Sequence, residues 1–134
     1  MSNATVSIIA PTIVPITSLV IFDSRVENLT GLRQSLLPGV VSYTLMPEED
    51  AFFAITRLLT DTGASHLAIV AHSAPGTIYL GAAPITRPAL QANAYLLQEW
   101  GITQISIYSC MVGTDELFIS ELSCLTGAAV IVAK

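Results

Sequence analysis

The sequence predicts a three-layer α/β sandwich built on a mostly parallel, five-stranded sheet. Short apolar, β-branched runs alternate along the chain with segments whose apolar residues recur at helical spacing. Glycine, proline and helix-capping residues separate the two kinds of segment. Strands that alternate with helices pair in parallel and are covered on both faces, so we expect the strand order 2-1-3-4-5 with right-handed crossovers.

The length of 134 residues suits a single domain, which we expect over residues 19–134. The apolar runs predict five strands, at residues 19–23, 40–45, 66–72, 102–109 and 128–133. The helical patterns between them predict four helices, at residues 24–37, 47–62, 86–100 and 114–126. A small extra strand is expected at residues 77–81, after a turn signal rich in proline and glycine.

Residues 1–18 are expected to form an extended apolar arm. Pro11 and Pro15 exclude a central strand but allow an edge strand or an extended segment. Two placements remain open: the arm lies across its own domain, or it adds to the sheet edge of a neighbouring subunit. The apolar side chains expected to mediate assembly are Val6, Ile8, Ile9, Ile13, Val14 and Ile16.

The chain carries unusually little charge. Charged residues make up 11% of the sequence, against about 25% in typical soluble domains, while 52% of the residues are hydrophobic. A large uncharged surface favours contact between copies, so we expect a homo-oligomer. The net charge of −5 and the absence of a basic cluster argue against nucleic-acid binding.

Several other classes of protein do not fit the sequence. The apolar runs are short and interrupted, which argues against a membrane span, and the first 18 residues lack the basic start of a secretory signal. Two cysteines and two histidines at these spacings indicate neither a disulfide framework nor a zinc site. We therefore expect no metal and no cofactor.

Three residues that could carry chemistry follow predicted strands. Asp23, His72 and Cys110 come at or just after strand ends, and ligands of parallel sheets bind beyond the carboxyl ends of the strands. If the third and fourth predicted strands are neighbours, an imidazole could activate the Cys110 thiol as a nucleophile. The alternative is that Cys110 is a small buried residue and that His72 is a hydrogen-bonded loop residue.

Three stretches carry a resemblance to a known family: His72-Ser-Ala-Pro-Gly76 with the following Leu-Gly81, Ile105-Ser-Ile-Tyr-Ser-Cys110, and Leu125-Thr-Gly-Ala-Ala-Val130. They resemble an uncharacterised bacterial domain that lies near the N-terminus of large repeat-bearing surface proteins. That domain in turn resembles the caspase, gingipain and CHAT group of cysteine peptidases. The similarity covers about residues 19–133.

The resemblance implies a caspase-like fold, an extracellular or cell-surface location and a peptide as the ligand class. It implies that His72 is the general base and Cys110 the nucleophile. Gly76 and Gly81 match turn positions of the resembling domain. Ser73 stands where peptidases of this group usually have a glycine whose N–H contributes to the oxyanion hole, and no acidic residue for a basic substrate pocket can be assigned.

Other polar or conspicuous residues are expected to serve the structure. We expect Cys124 in the core, His66 as a structural or solvated residue, and Asp23 as a cap of the first helix. Trp100 is expected to pack under the sheet. The acidic run at residues 48–50 is expected to begin the second helix rather than to bind metal.

Two functions follow from these expectations. The low charge and the apolar arm favour a self-assembling structural or cell-surface module on a caspase-like scaffold, which forms homo-oligomers or filaments through its arm. The alternative is a cysteine peptidase-like hydrolase that uses a His72/Cys110 dyad. A ligand-binding or degenerate signalling module that retains the dyad is a third, less favoured interpretation.

Overall fold

The fold is mixed α/β, as a computed structural model that describes residues 17–109 and 115–133 shows. The described elements are β1 (Ser18–Asp23), α1 (Leu29–Gln34), β2 (Val40–Leu45), α2 (Ala51–Thr62), β3 (His66–Val70), β4 (His72–Ala74), β5 (Thr77–Leu80), β6 (Ala83–Ile85), α3 (Arg87–Ala92), α4 (Ala94–Leu97), β7 (Gln104–Tyr108), α5 (Glu116–Thr126) and β8 (Ala129–Ala133). None of these helices has the length and apolar character needed to cross a membrane.

Five parallel strands form the main sheet in the order β2-β1-β3-β7-β8. This is the predicted order 2-1-3-4-5, because β7 and β8 are the fourth and fifth strands of the main sheet in chain order. The β3–β7 register pairs His66 with Gln104 and Val70 with Tyr108. The carboxyl ends of these neighbouring strands therefore lie side by side.

The hydrophobic core lies between one face of this sheet and four of the helices. Alternate residues of each central strand point to this face because side chains in a strand alternate between the two faces. The sheet contributes Leu19, Ile21, Leu67, Ile69, Ile105 and Ile107. The helices α2 to α5 cover them with Phe52, Ile55, Leu59, Leu90, Leu97, Phe118 and Leu122.

The opposite face carries α1. Arg33 of α1 donates a hydrogen bond to the Thr44 hydroxyl of β2 over 3.1 Å, which places the helix over this side of the sheet. Tyr108 and Ile131, on the same face beyond α1, are 49% and 48% exposed. Among the described residues, the β7–β8 half of this face is therefore more open than the half beneath α1.

Local capping explains both ends of α2. The Asp50 carboxylate accepts the Phe53 N–H, and α2 ends at Gly63 with a φ of 69°. The expected start of this helix at residue 47 is wrong. The Glu49 carboxylate accepts the Met46 N–H over 2.8 Å and closes a turn before the helix begins.

The first and third predicted helices are also shorter than expected. Asn28, with a φ of 60°, precedes α1, and Ser24 instead donates its N–H to the Leu45 carbonyl. The third predicted helix is divided at Asn93, whose side-chain amide donates to the Ala89 carbonyl. A side chain that bonds to the local backbone competes with helix formation, which explains the break.

A second, antiparallel sheet of three strands, β4-β5-β6, follows β3 directly. The sequence predicted the middle strand, β5, but not its two partners. Pro75 and Gly76 form the tight turn between β4 and β5, and Gly76 has a φ of 68°. Proline followed by a residue of positive φ is typical of a type II turn.

Candidate functional site

The candidate site lies at the carboxyl edge of the main sheet. Asp23 ends β1, His72 begins β4 two residues after β3 ends, and Ser109 follows β7. Cys110, the predicted nucleophile, lies outside the described residues, and so do Val6, Ile8, Ile9, Ile13, Val14 and Ile16 of the predicted arm. The described residues that flank Cys110 in the sequence are Ser109 and Asp115.

Asp23 is the most deeply buried polar group at this edge, with 1% of its side chain exposed. Arg25 binds its carboxylate with two side-chain bonds of 2.7 Å, from Nε and Nη2, and with its own backbone N–H. Gly81 donates its N–H to the same carboxylate over 2.9 Å, and Arg25 returns a bond to the Gly81 carbonyl. The expectation that Asp23 caps the first helix is wrong, because its carboxylate binds Arg25 and Gly81.

The Asp23 carboxyl is held in its charged form. Burial alone raises its pKa, but the hydrogen bonds from Arg25 and Gly81, together with the Arg25 charge, bring the pKa below its usual value. A carboxylate with this many donors has little capacity left for a ligand. Asp23 therefore fastens the end of β1 to the turn between β5 and β6.

His72, by contrast, is accessible. Its side chain is 53% exposed, and its Nε2 lies 3.4 Å from Oε1 of Glu27, which is 82% exposed. Glu27 belongs to the loop between β1 and α1. An imidazole in this position has the exposure that a general base needs in order to reach a substrate or a neighbouring thiol.

Ser73 and Ser109 connect the hairpin of His72 to the end of β7. The Ser109 hydroxyl donates to the Ser73 hydroxyl, and the Ser109 N–H donates to the Ala133 carbonyl of β8 over 3.2 Å. The residue that follows His72 thus contacts the residue that precedes Cys110. Ser73 has a negative φ within β4, so its backbone conformation does not require glycine.

Gly76 makes a second contact with the segment around Cys110. A β-carbon built on Gly76 would lie 2.4 Å from Oδ2 of Asp115, so the carboxylate packs directly against the β4–β5 turn. Asp115 also begins α5, because its Oδ1 accepts the N–H groups of Leu117 and Phe118. The hairpin that starts with His72 therefore contacts residues on both sides of positions 110–114.

The remaining predicted residues divide into confirmed and corrected ones. Trp100 packs in the core and donates its ring N–H to the Thr56 hydroxyl over 2.8 Å, as its predicted packing role implied. His66 is exposed at the start of β3. Cys124 is exposed on α5, so its predicted core position is wrong. Over residues 17–109 and 115–133, no group of three or more metal-ligating side chains comes together.

Sequence reasoning did not assign Arg25, Glu27 or Ser109 to the site, and it expected Asp115 only at the start of the fourth helix, which the capping of α5 by Asp115 confirms. Asp115 had a detectable signal, because an aspartate directly before an apolar helical pattern is a common N-cap. Arg25 follows a strand-ending aspartate by two residues, which is compatible with a local ion pair. Ser109 and Glu27 had no such signal, since their partners are distant in sequence.

Comparison with known proteins gives a family and one structural likeness. No curated protein matched the sequence. The fold is similar to the A domain of carboxylic acid reductase from Segniliparus rugosus, solved in complex with AMP and a co-purified carboxylic acid, with a TM-score of 0.48 and 12% identity over 90% of this chain. The chain spans 18% of the length of that protein. The model of a family described as a domain of unknown function, DUF4347, matches residues 19–134, and this chain belongs to that family.

Proposed function

We propose that this domain is a cysteine peptidase-like hydrolase on a caspase-like scaffold, with His72 as general base and Cys110 as nucleophile. The observation that carries the proposal is the double contact of the His72 hairpin with the segment around Cys110. Ser73 contacts Ser109 on one side of that segment, and Gly76 contacts Asp115 on the other. Both contacts keep the His72 hairpin next to the residues on either side of Cys110, which is what a His72/Cys110 dyad requires.

The parallel pairing of β3 and β7 supports the same arrangement. Val70 and Tyr108 are register partners at the carboxyl ends of these strands, and His72 and Cys110 each follow two residues later. Equal offsets from paired residues bring two side chains to the same edge of a sheet. Reactive groups in open α/β sheets are commonly found at this edge.

The chemistry of such a dyad is acyl transfer. The imidazole takes the proton from the thiol, and the thiolate attacks the carbonyl carbon of a peptide bond. The protonated imidazole then gives the proton to the leaving amine, which leaves a thioester on Cys110. Water hydrolyses the thioester, the product acid departs, and the thiol is restored. The substrate in this proposal is a peptide, and the reaction uses no metal or cofactor.

Thiol labelling tests the dyad. A peptidyl chloromethyl ketone should label Cys110 faster than Cys124, which is exposed on α5 and serves as an internal reference thiol. Cys110→Ala should abolish the fast labelling, whereas Cys124→Ala should leave it unchanged. Peptide mapping by mass spectrometry identifies the labelled cysteine. Equal labelling of both cysteines would contradict the proposal.

The role of His72 has its own test. A thiol without an activating base has a pKa of about 8.5 and reacts slowly below neutral pH. We therefore expect iodoacetamide to label Cys110 at mildly acidic pH in the wild type and about ten-fold more slowly in His72→Ala. His66→Ala is the matched control, because His66 is also exposed but lies at the opposite end of β3. A similar loss of labelling rate in both variants would show that the effect does not come from the imidazole at position 72.

A second candidate function is self-assembly as a structural or cell-surface module, with homo-oligomers or filaments formed through the arm. The low charge favours it, and so do the exposed side chains of Tyr108 and Ile131 on the β7–β8 half of the sheet face that carries α1. A surface location rests on the resemblance of the His72 and Cys110 segments to domains of repeat-bearing surface proteins. Light scattering coupled to size-exclusion chromatography should give a smaller mass for a variant that lacks residues 1–16 than for the full chain. Monomeric mass for both would exclude this function.

A further inference from the structure

Within the part of the chain that the structure describes, the edge strand β8 shows none of the features that normally prevent sheets from pairing with each other. It lies at the end of the main sheet, pairs with β7 on one side, and has no partner strand among the described residues on the other. Its sequence, Ala129-Val-Ile-Val-Ala133, contains no charge and no proline. Exposed edges usually carry such residues because bare edges add further strands.

The hydrogen-bond phase shows which backbone groups point outward. Ala129 donates its N–H to the Thr103 carbonyl, and Ala133 accepts from the Ser109 N–H, so odd-numbered residues of β8 bond towards β7. Alternate residues of a strand direct their main-chain groups to opposite sides. The N–H and C=O groups of Val130 and Val132 therefore face the open edge.

We propose that two copies of this chain pair along β8 in antiparallel orientation, around a two-fold axis at Ile131. The strand reads the same in both directions, so this register matches alanine with alanine, valine with valine and isoleucine with isoleucine. Val130 of one copy and Val132 of the other exchange both hydrogen bonds, as antiparallel pairs require. The result is a continuous ten-stranded sheet with a closed, self-complementary interface.

Side chains on both faces of the sheet support this register. The two Ile131 side chains, each 48% exposed in one copy, meet across a non-hydrogen-bonded pair whose Cα atoms are about 4.5 Å apart. On the other face, Val130 and Val132 line a groove beside α5 with Ile119, Ser120 and Ser123. The same groove of the second copy would face it, and the small serines allow the helices to approach.

The charge distribution is compatible with the same pairing. Among the described residues that line the groove, Glu116 is the one that carries a charge. Antiparallel α5 helices place Glu116 of one copy near the C-terminal end of the other helix. Glu116 and Thr126 are the terminal residues of α5, ten residues apart, so the two carboxylates are separated by about 15 Å along the helix axis. Like charges do not oppose each other.

Disulfide cross-linking tests the axis directly. In a Cys110→Ala, Cys124→Ser background, Ile131→Cys should form a disulfide-linked dimer under mild oxidation, because Cα atoms 4.4–6.8 Å apart suit a disulfide and the proposed pair lies at about 4.5 Å. Leu37→Cys is the control, since Leu37 is 73% exposed near the opposite edge strand. We expect most of the Ile131→Cys protein and little of the Leu37→Cys protein to cross-link.

The background variant that carries Ile131→Lys should lose the dimer in light scattering, because two like charges would then oppose each other at the axis. The same cross-linking in a chain that lacks residues 1–16 separates this inference from assembly through the arm. Cross-linking that persists supports pairing between two β8 strands. Cross-linking that disappears would show that the copies associate through the arm instead. Equal cross-linking of Ile131→Cys and Leu37→Cys, or a monomeric background protein, would overturn the inference.

Discussion

Asp23 and His72 lie at the same edge of the main sheet. Each contacts a side chain of the opposite acid–base type, Arg25 and Glu27 respectively, but their surroundings differ. Asp23 is 1% exposed and accepts four hydrogen bonds, from three groups of Arg25 and from Gly81. His72 is 53% exposed and has Glu27 at 3.4 Å. The comparison shows that burial distinguishes a carboxylate held by four hydrogen bonds within the fold from an imidazole that solvent can reach.

The largest expected effect comes from removing the cation that pairs with the buried Asp23 carboxylate. Arg25→Ala leaves a buried carboxylate with two backbone donors, the N–H groups of residue 25 and Gly81, and no cation, and it should lower the free energy of unfolding by about 3 kcal/mol. Arg33→Ala, which removes a single bond to Thr44 on an exposed helix, should lower it by less than about 0.5 kcal/mol. Urea denaturation measures both. Equal losses would mean that the Asp23 pair contributes no more than a surface contact.

The next effect tests the contact between the hairpin and the segment around Cys110. Gly76→Ala should cost about 2 kcal/mol, because it adds a clash with Asp115 to the strain of a positive φ. Gly63→Ala is the matched control: its φ of 69° is similar, but nothing lies within 4 Å, so it should cost about 1 kcal/mol.

The Gly76 variant also has a chemical readout. Gly76→Ala should slow the labelling of Cys110, and Gly63→Ala should not. If the two variants lose the same stability and label Cys110 at the same rate, the Asp115 contact does not position the site.

The pH dependence of the free energy of unfolding should give a smaller effect, which belongs to the Asp23–Arg25 pair. The folded-state pKa of Asp23 lies below the usual value, so its contribution to stability is present above the unfolded-state pKa and is lost as the pH falls through the folded-state pKa. Asp23→Asn cannot titrate, so its stability should fall less steeply than that of the wild type over this acid range. Urea midpoints at a series of pH values measure the difference. Parallel curves would contradict a charged, paired Asp23.

The strands of the main sheet and the caps of two helices were predictable because their signals are local. Apolar runs marked β1, β3 and β7, and Gly63 and Gly127 ended their helices as glycine with positive φ usually does. The strand order followed from the alternation of strands and helices. In each case the residues that determine the structure are neighbours in the sequence.

What the sequence could not predict depends on partners that are distant in the chain. The bond from Gly81 to Asp23 joins residues 58 positions apart, and the contact between Ser73 and Ser109 joins residues 36 apart. Cys124, by contrast, lies two residues after Leu122 and six after Phe118, spacings that put it on a different face of α5, so the helical period predicts its exposure.

The smallest expected effect belongs to the exposed pair. Both side chains are more than half exposed, so Glu27→Gln should change the free energy of unfolding by less than about 0.5 kcal/mol. The pair is exposed to solvent, so any difference should vanish at about 1 M salt, where the screening length falls to about 3 Å. Urea denaturation at low and high salt measures it. A loss above about 1 kcal/mol that survives high salt would show that His72 is held as firmly as Asp23, and the contrast between a fastened carboxylate and an available imidazole would then fail.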